Sequence, residues 1–267
     1  MFALHGLRSL PFWTSPEPSK EEKADDRARV AYNDPTITAM LKHLEANTED
    51  IKAEYMEAVL GIGSTMSDTN HKSQLVSDYD TASAGAEHPE SLHKGNWEWH
   101  SYIQKGERNP TFKDRCPKTA KVLDELGPLL FSTPFSFAFF STLHGKSKIE
   151  AHNGPMNLRL RVHLPLIVPS KPASLGASTS GGTLTGGGGT LVDQCGIRVG
   201  SQRRNWVEGK AIVLDDSYQH EVWNKTEEPR VVFLFDIWHP DVEAQEKESI
   251  NDMFSYARGK GWIGNKK

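Results

Sequence analysis

The sequence predicts a mainly β domain, built as a sandwich or a closed double-sheet barrel and preceded by helices. After Pro134, several short stretches with strand-like patterning are separated by turns that contain Gly or Pro. Helical spacing of apolar residues is found mainly before residue 130. A chain of 267 residues is long enough for one such domain with a full core.

The predicted helices are placed by caps and by apolar spacing. The first begins at Pro35, because Asp34 can cap it and proline suits the first helical position. A second ends at Gly61, and a short third helix covers residues 117–126. The apolar residues of the first two helices recur at helical intervals: Ile37, Met40, Leu41 and Leu44, then Ile51, Tyr55 and Val59.

Three segments have the composition of connections. Residues 15–30 are charged and predict a mobile linker, and the polar residues 64–95 predict a loop. Residues 170–190 are rich in Gly, Ser and Thr and predict a flexible insertion, either a surface loop or a lid over a site. The predicted organisation is an N-terminal extension of helices and loop, a β core and a C-terminal helix or tail: residues 1–95, 96–245 and 246–267.

Four strands are predicted from β-prone, alternating or continuously apolar residues: residues 135–142, 158–168, 210–214 and 230–238. Strands of this length that alternate with turns are typical of two packed sheets.

Composition argues against several classes of function. With 31 Lys+Arg against 35 Asp+Glu there is no basic excess, so nucleic acid is not an expected partner. No apolar run reaches the roughly 18 residues of a membrane span, and the apolar start is interrupted by Arg8 and Pro11, so a cytoplasmic location is expected. Cys116 and Cys195 form no disulfide framework or zinc pattern and are interpreted as unpaired buried thiols.

Two short segments carry candidate metal ligands, one around His152 and one around His220. An open non-haem Fe(II) site usually takes two His and one carboxylate. On a strand, residues i and i+2 point the same way, so His-x-Asp would present two ligands together. Here the i+2 residue is Gly154, which has no donor. The chain therefore either lacks the metal or holds it with two imidazoles and water.

The segments around these histidines resemble the aspartyl/asparaginyl β-hydroxylase family. The resemblance runs from about Trp97 to Val242 with order and spacing kept. Its motifs lie at residues 152–155, 157–163, 195–199, 206–210, 215–223, 230–233 and 236–240.

The resemblance implies an Fe(II)- and 2-oxoglutarate-dependent oxygenase. The implied fold is a double-stranded β-helix (jelly-roll, cupin-like) core with the N-terminal helices packed outside. Members have glycine where related oxygenases keep the ligating carboxylate, which agrees with Gly154. The implied roles are iron ligation by His152 and His220, 2-oxoglutarate binding by Ser141, Arg161, His163 and Arg230, and substrate contact by Arg159.

The chemistry of these side chains supports the implied roles. Arg159, Arg161 and His163 are two residues apart, so on a strand they form one face, either an anion-binding wall or the solvated face of an edge strand. Arg230 begins a buried apolar strand, where its charge needs a partner. A bound dicarboxylate would supply that partner, and an internal salt bridge is the alternative.

Asp216 is our candidate for a catalytic carboxylate that anchors an iron-bound water without ligating the metal. The alternative is that Asp215 and Asp216 merely cap the turn before His220. Replacement of Gly154 by aspartate is expected to retain iron but to impair turnover, because the added anion crowds the pocket.

The expected substrate is a small carboxylate-bearing molecule, such as a free or modified amino acid, used together with O2. The outcome would be hydroxylation, desaturation or ring closure. Three alternatives stay open. They are β-hydroxylation of Asp or Asn residues in a protein or peptide, a non-catalytic anion-binding jelly-roll module, and a zinc hydrolase on the same two histidines.

Overall fold

The computed structural model describes residues 2–14, 34–62, 74–80, 92–131, 133–170 and 191–263. The predicted linker at residues 15–30 lies outside the described residues. So does the predicted flexible insertion apart from Ser170, whose backbone N–H donates to a Glu228 carboxylate oxygen at 2.8 Å.

Helices lie before, between and after the strands of the β core. They are α1 (Pro35–Ala46), α2 (Thr48–Ala58), α3 (Pro110–Arg115), α4 (Pro117–Asp124), α5 (Leu191–Gln194) and α6 (Ala244–Gly259). The predicted cap of α1 is confirmed, because an Asp34 carboxylate oxygen accepts from the backbone N–H groups of Thr36 and Ile37. No helix of the described ranges combines the length and apolar character needed to cross a membrane.

The described part of the chain contains twelve strands: β1 (Tyr79–Asp80), β2 (His93–Lys94), β3 (Trp97–Gln104), β4 (Glu107–Arg108), β5 (Ala138–Leu143), β6 (Ser147–His152), β7 (Arg159–Ile167), β8 (Cys195–Val199), β9 (Gln202–Arg204), β10 (Ile212–Leu214), β11 (His220–Asn224) and β12 (Arg230–Trp238). Seven form one sheet in the order β1-β3-β5-β12-β7-β10, with β4 paired to β3. Five form a second sheet in the order β2-β6-β11-β8-β9.

All strand pairs in the two sheets are antiparallel, and most neighbours are distant in sequence. Such crossovers are typical of the jelly roll, so the predicted double-stranded β-helix is confirmed. An apolar cluster lies between the sheets, with members from both: Phe139, Leu143, Ile149, Ile197, Val199, Leu214, Val222, Val232 and Leu234.

The helices cover the outer face of the larger sheet, and this decides which way β7 presents its side chains. Leu160, Val162, Leu164 and Leu166 are buried in the same cluster as the apolar residues of α1 and α2. Because successive strand residues alternate in direction, the intervening side chains face the space between the sheets. Strand β7 lies between β12 and β10, so it is not an edge strand.

Some elements differ from the sequence-based prediction. The stretch 64–95 was predicted as loop, but it contributes β1 and β2, each only two residues long. Both strands pair with the β core, although they lie in the segment predicted as an N-terminal extension. Strands this short carry too few residues to show an alternating pattern. Both cysteines are buried and free, as predicted.

Candidate active site

The two candidate ligands, His152 and His220, meet at one end of the β6–β11 pair in the smaller sheet. His152 is the last residue of β6 and His220 the first of β11, and the two are direct partners in the strand register. Their ring centroids lie 4.1 Å apart. The antiparallel pairing therefore joins two histidines that are far apart in sequence.

Each ring has the same second contact, which fixes its tautomer. His152 Nδ1 lies 2.8 Å from the carbonyl oxygen of Glu150, and His220 Nδ1 lies 2.9 Å from that of Tyr218. A carbonyl oxygen can only accept, so Nδ1 carries the hydrogen in both rings. Each Nε2 is left with a free lone pair, the form in which imidazole binds a metal.

Burial keeps both imidazoles neutral. Desolvation lowers the pKa of His152, and it lowers the pKa of His220 to about 4, with the neighbouring His152 contributing in the same direction. Neither ring therefore needs to lose a proton to accept a metal at neutral pH. Among the described residues, no third His, Cys, Asp or Glu joins them in a metal-binding cluster. The donor set fits the predicted two-imidazole site.

Gly154 lies against the carboxylate of Asp216. Its backbone N–H donates to the Asp216 carbonyl oxygen at 2.6 Å. A Cβ on Gly154 would lie 2.6 Å from Asp216 Cγ and 2.7 Å from each carboxylate oxygen. The Asp216 carboxylate thus fills the space that a side chain at position 154 would need. Gly154 contributes no ligating carboxylate of its own, and its lack of a side chain leaves space for the carboxylate of Asp216.

Two arginines and two aspartates form a buried network beside the histidines. Arg159 donates to Asp216 through Nε at 3.3 Å and Nη2 at 2.6 Å, and its Nη1 lies 3.2 Å from Asp236. Arg161 donates to Asp236 through Nε at 2.9 Å, and its Nη1 lies 3.5 Å from Asp216. Burial alone would raise the pKa of Asp216, but the two arginines hold it well below its usual range. Asp216 is therefore an anion with charged partners.

Arg230 is a buried cation without a carboxylate partner among the described residues. Its side chain is 1% exposed, and its Nη1 makes only long contacts to Ser141, 3.4 Å to Oγ and 3.5 Å to the carbonyl oxygen. Its Nε has no hydrogen-bond partner in the described ranges of the chain. Burial lowers the pKa of Arg230 to about 10, so it stays charged at neutral pH. The internal salt bridge considered from the sequence is absent from the described part of the chain.

His163 and Ser141 supply further donors next to Arg230. Trp206 Nε1 donates to His163 Nδ1 at 3.3 Å, which places the His163 hydrogen on Nε2, a buried atom for which the described residues provide no partner. Ser141 Oγ accepts from Trp97 Nε1 at 2.9 Å, so its own hydrogen is free to donate. The Arg230 guanidinium lies over Trp206, 4.8 Å from the ring centroid. We call Ser141, His163 and Arg230 the donor cradle.

The titration of His163 predicts a pH dependence of stability. Burial, followed by the charge of Arg230, lowers the pKa of His163 well below its ordinary value. The unfolded chain binds a proton there below about pH 6.5, whereas the folded protein does not. The free energy of unfolding should therefore fall as the pH drops below about 6.5, by up to about 1.4 kcal/mol per pH unit from this residue.

Urea unfolding of the metal-free protein between pH 8 and pH 5 measures this effect. The variant His163→Gln should lose part of the slope below pH 6, and the exposed His43→Gln should keep it. Parallel stability curves for His163→Gln and the wild type would contradict a neutral His163.

The predicted site residues fall into adjoining groups. His152, His220 and Asp216 lie at the end of β6, at the start of β11 and in the turn before β11. The donor cradle lies on the inner face of the larger sheet. Arg161 and His163 share the inner face of β7, and the charge of Arg161 contributes to the lowered pKa of His163. The side chain of Arg159 is 3% exposed and is occupied by Asp216, Asp236 and the Phe135 carbonyl oxygen. Its role as a substrate contact stays a prediction.

Two residues of this region lie in motifs of the resemblance, but no role in the site was predicted for them. Asp236 accepts from both arginines and from the Phe137 backbone N–H, and Trp206 joins His163 to Arg230. The signal for Asp236 is a lone carboxylate inside an apolar strand, where burial requires a charged partner. Trp206 carries no comparable signal, because buried tryptophans are common in cores.

A sequence profile described as Aspartyl/Asparaginyl beta-hydroxylase matches residues 45–240. The match begins well before Trp97, so the start of the resemblance was placed too late from the sequence. The mouse protein named aspartyl/asparaginyl beta-hydroxylase is 25% identical over 250 residues, covering 94% of this chain and 26% of that protein. The human protein of the same name is 26% identical over 250 residues, covering 94% of this chain and 25% of that protein.

A shorter relative is the aspartate beta-hydroxylase domain-containing protein 2 of Xenopus tropicalis. It is 29% identical over 171 residues, covering 63% of this chain and 40% of that protein. This chain spans about a quarter of the length of the mouse and human relatives.

Solved structures share the general architecture only weakly. A Pseudomonas putida prolyl-4-hydroxylase aligns with TM-score 0.32 and 14% identity, covering 59% of this chain and 78% of that chain. A Burkholderia pseudomallei 2OG-Fe(II) oxygenase family protein aligns with TM-score 0.33 and 13% identity, covering 54% of this chain and 68% of that chain. The fold assignment rests on the strand order and not on these likenesses. Because the profile covers well over half of the sequence, the chain belongs to the aspartyl/asparaginyl β-hydroxylase family.

Proposed function

We propose that this chain is an Fe(II)- and 2-oxoglutarate-dependent oxygenase that oxidises an unactivated C–H bond. The observation that carries the proposal is the pairing of His152 and His220, whose Nδ1 atoms both donate to carbonyl oxygens, next to a donor cradle for which the described residues supply no acid. The first feature fits a divalent metal, and the second fits the carboxylate of a small dianion. Family membership supports the same activity.

The chain's own residues would have distinct tasks in this reaction. His152 and His220 would hold Fe(II), which with 2-oxoglutarate would supply the activation of O2. One oxygen atom would end in succinate with release of carbon dioxide, and the other would end in the alcohol product or, after desaturation or ring closure, in water. The donor cradle would bind the far carboxylate of 2-oxoglutarate, and Arg161 would support it. Asp216, held as an anion by the arginines, would accept hydrogen bonds from water next to the histidines. The apolar residues between the sheets would exclude bulk water.

For the substrate we propose a small carboxylate-bearing molecule, such as a free or modified amino acid, which Arg159 would recognise. All but one of the Arg159 N–H groups already donate to the buried Asp216, the buried Asp236 or the Phe135 carbonyl oxygen, so the substrate carboxylate would have to displace one of these acids. The names of the relatives support the second candidate, an Asp or Asn residue of a polypeptide. Hydroxylation, desaturation and ring closure all start from removal of hydrogen at one carbon.

Anaerobic equilibrium dialysis with Fe(II), followed by succinate release with 2-oxoglutarate and O2, tests the activity. His152→Ala and His220→Ala should each weaken metal binding by about 100-fold or more, because a two-imidazole site loses half of its protein ligands. The exposed His43→Ala is the matched control. Full metal binding by His152→Ala would show that the ligand assignment is wrong.

The same assay separates the alternatives. A folded wild-type protein without a saturable metal site would favour the anion-binding module, and turnover with zinc but not iron would favour a hydrolase. Free amino acids, their N-acylated forms and Asp- or Asn-containing peptides should be compared as stimulants of succinate release. Stimulation by the peptides alone would overturn the small-molecule proposal.

A further inference from the structure

The N-terminal residues 2–14 lie across both turns that carry the candidate metal ligands. We call residues 2–14 the strap. The first turn, residues 153–157, follows His152, and the second turn, residues 215–219, precedes His220. The strap contacts each turn through hydrogen bonds, and neither the sequence motifs nor the family match, which starts at residue 45, includes it.

The strap binds the first turn through main-chain and side-chain contacts. The backbone N–H of Phe2 donates to the Pro155 carbonyl oxygen at 2.8 Å, and that of Asn157 donates to the Phe2 carbonyl oxygen at 3.3 Å. The Asn157 side chain pairs with both main-chain groups of Leu4, accepting from its N–H at 2.9 Å and donating to its carbonyl oxygen at 2.8 Å. Asn157 thus acts as a two-point clamp on the strap.

The other end of the strap binds the second turn. The backbone N–H of Asp215 donates to the Pro11 carbonyl oxygen at 3.2 Å. The hydroxyl groups of Ser9 and Tyr218 lie 2.8 Å apart. The carbonyl oxygen of the same Tyr218 accepts from His220 Nδ1. The strap therefore binds the side chain of the residue whose main chain orients the His220 ring.

The strap is anchored in the body of the protein. The backbone N–H of Arg8 donates to an Asp241 carboxylate oxygen at 2.9 Å, and His239 Nε2 donates to the Arg8 carbonyl oxygen at 2.9 Å. Phe12 is 1% exposed in the core between the sheets, and Trp13 is 0% exposed beneath the helices. A terminal segment is well ordered when it is tied down in this way.

The two turns also contact each other directly. Gly154 donates to the Asp216 carbonyl oxygen, and Asn153 Nδ2 donates to that of Ser217 at 2.8 Å. These contacts join the turns close to the ligands, whereas the strap joins them from outside. A site with only two protein ligands has fewer bonds to hold the metal in place, so it depends more on how rigidly those ligands are oriented.

We propose that the strap is a positioning element of the metal centre, which fixes the separation of the two turns and hence of the two Nε2 atoms. Metal affinity should then depend on contacts that no ligand or cradle residue makes. The inference rests on the proposed function in one respect, namely that His152 and His220 bind a divalent metal.

Mn(II), a stand-in for Fe(II) that is stable in air, provides the probe. Two variants of the full chain loosen opposite ends of the strap: Asn157→Leu, and the double variant Ser9→Ala with Tyr218→Phe. Each should raise the Mn(II) dissociation constant about tenfold or more, as loss of outer contacts to metal ligands does. The matched control is Ser249→Ala with Tyr256→Phe on α6, which should bind as the wild type does.

A second readout separates positioning from general stabilisation. In the metal-free variants, backbone amides of residues 153–157 and 215–219 should exchange hydrogen faster, while those of the central strands β7 and β12 should not. A lower unfolding temperature with a dissociation constant within twofold of the wild type would overturn the proposal. If Asn157→Leu does not fold, the double variant decides. If the wild type binds Mn(II) and both variants bind it equally well, the positioning role of the strap is wrong but the proposed function stands. If the wild type does not bind Mn(II) at all, the proposed function is wrong as well.

Discussion

Replacement of Gly154 by alanine is expected to destabilise the metal-free protein by about 1–3 kcal/mol, the usual range for an overpacked interior. The new methyl group would lie 2.6–2.7 Å from three atoms of the Asp216 carboxylate. That carboxylate cannot withdraw easily, because Arg159 and Arg161 hold it from the other side. Either the turn shifts or the ion pairs lengthen, and both changes lower stability.

Urea unfolding of Gly154→Ala against the wild type measures the loss. Gly127→Ala is the control, because a Cβ at Gly127 would meet no atom within 4 Å and should change stability by less than about 0.5 kcal/mol. Equal stability of the two variants would show that Asp216 does not fill the space beside Gly154.

Aspartate at position 154 should behave worse than alanine. From the sequence alone, Gly154→Asp was expected to retain iron but to impair turnover by crowding the pocket. The structure leads us to expect loss of metal binding too, because two carboxylates would share one space and like charges repel. In the double variant Gly154→Asp with Asp216→Gly, a single carboxylate again occupies the space between the two turns. Its free energy of unfolding should be at least about 1 kcal/mol higher than that of Gly154→Asp. No recovery would argue against direct overlap of the two side chains.

The variant Arg230→Met is expected to leave the metal-free protein as stable as the wild type or more stable, while weakening 2-oxoglutarate binding by about 2–5 kcal/mol. Arg230 is buried and has no acid partner among the residues that the structure describes, so its charge costs desolvation energy that methionine of similar shape avoids. The bound ligand loses the only fully buried cation of the donor cradle. Stability and binding should therefore change in opposite directions.

Chemical denaturation and isothermal titration with 2-oxoglutarate and Mn(II) test this pair of expectations. Arg230→Lys keeps the positive charge but loses the paired guanidinium N–H donors, so it should bind 2-oxoglutarate with intermediate affinity. The exposed Arg203→Met is the matched control and should bind as the wild type does. Strong destabilisation by Arg230→Met with unchanged affinity would mean that the arginine serves the fold and not a ligand.

The sequence predicted those parts of the fold whose pattern is local. Asp34 and Pro35 predicted the start of α1, and the apolar run 230–238 predicted β12, because caps and buried strands have clear signals. Strand β11 has no such signal, because it is short and begins and ends with the polar residues His220 and Asn224. Its existence depends on pairing with β6 and β8, which local residues do not encode.

The candidate site shows the same division. The pairing of His152 with His220 was predicted through a resemblance to a family and not through spacing, since β6 and β11 become neighbours only through the jelly-roll crossovers. The close approach of Gly154 to Asp216 and the sharing of Asp236 between Arg159 and Arg161 were not predicted. Both depend on side-chain packing between distant segments, which no linear pattern records.

Strand β7 separates two chemically opposite surfaces, hydrocarbon beneath the helices and charge toward the sheets' interior. Substitution within it changes one surface at a time. Insertion or deletion of a single residue would instead exchange the two surfaces beyond that point, placing leucines between the sheets and guanidinium groups under α1 and α2. Natural variants of this chain should therefore differ in the composition of β7 but keep its length.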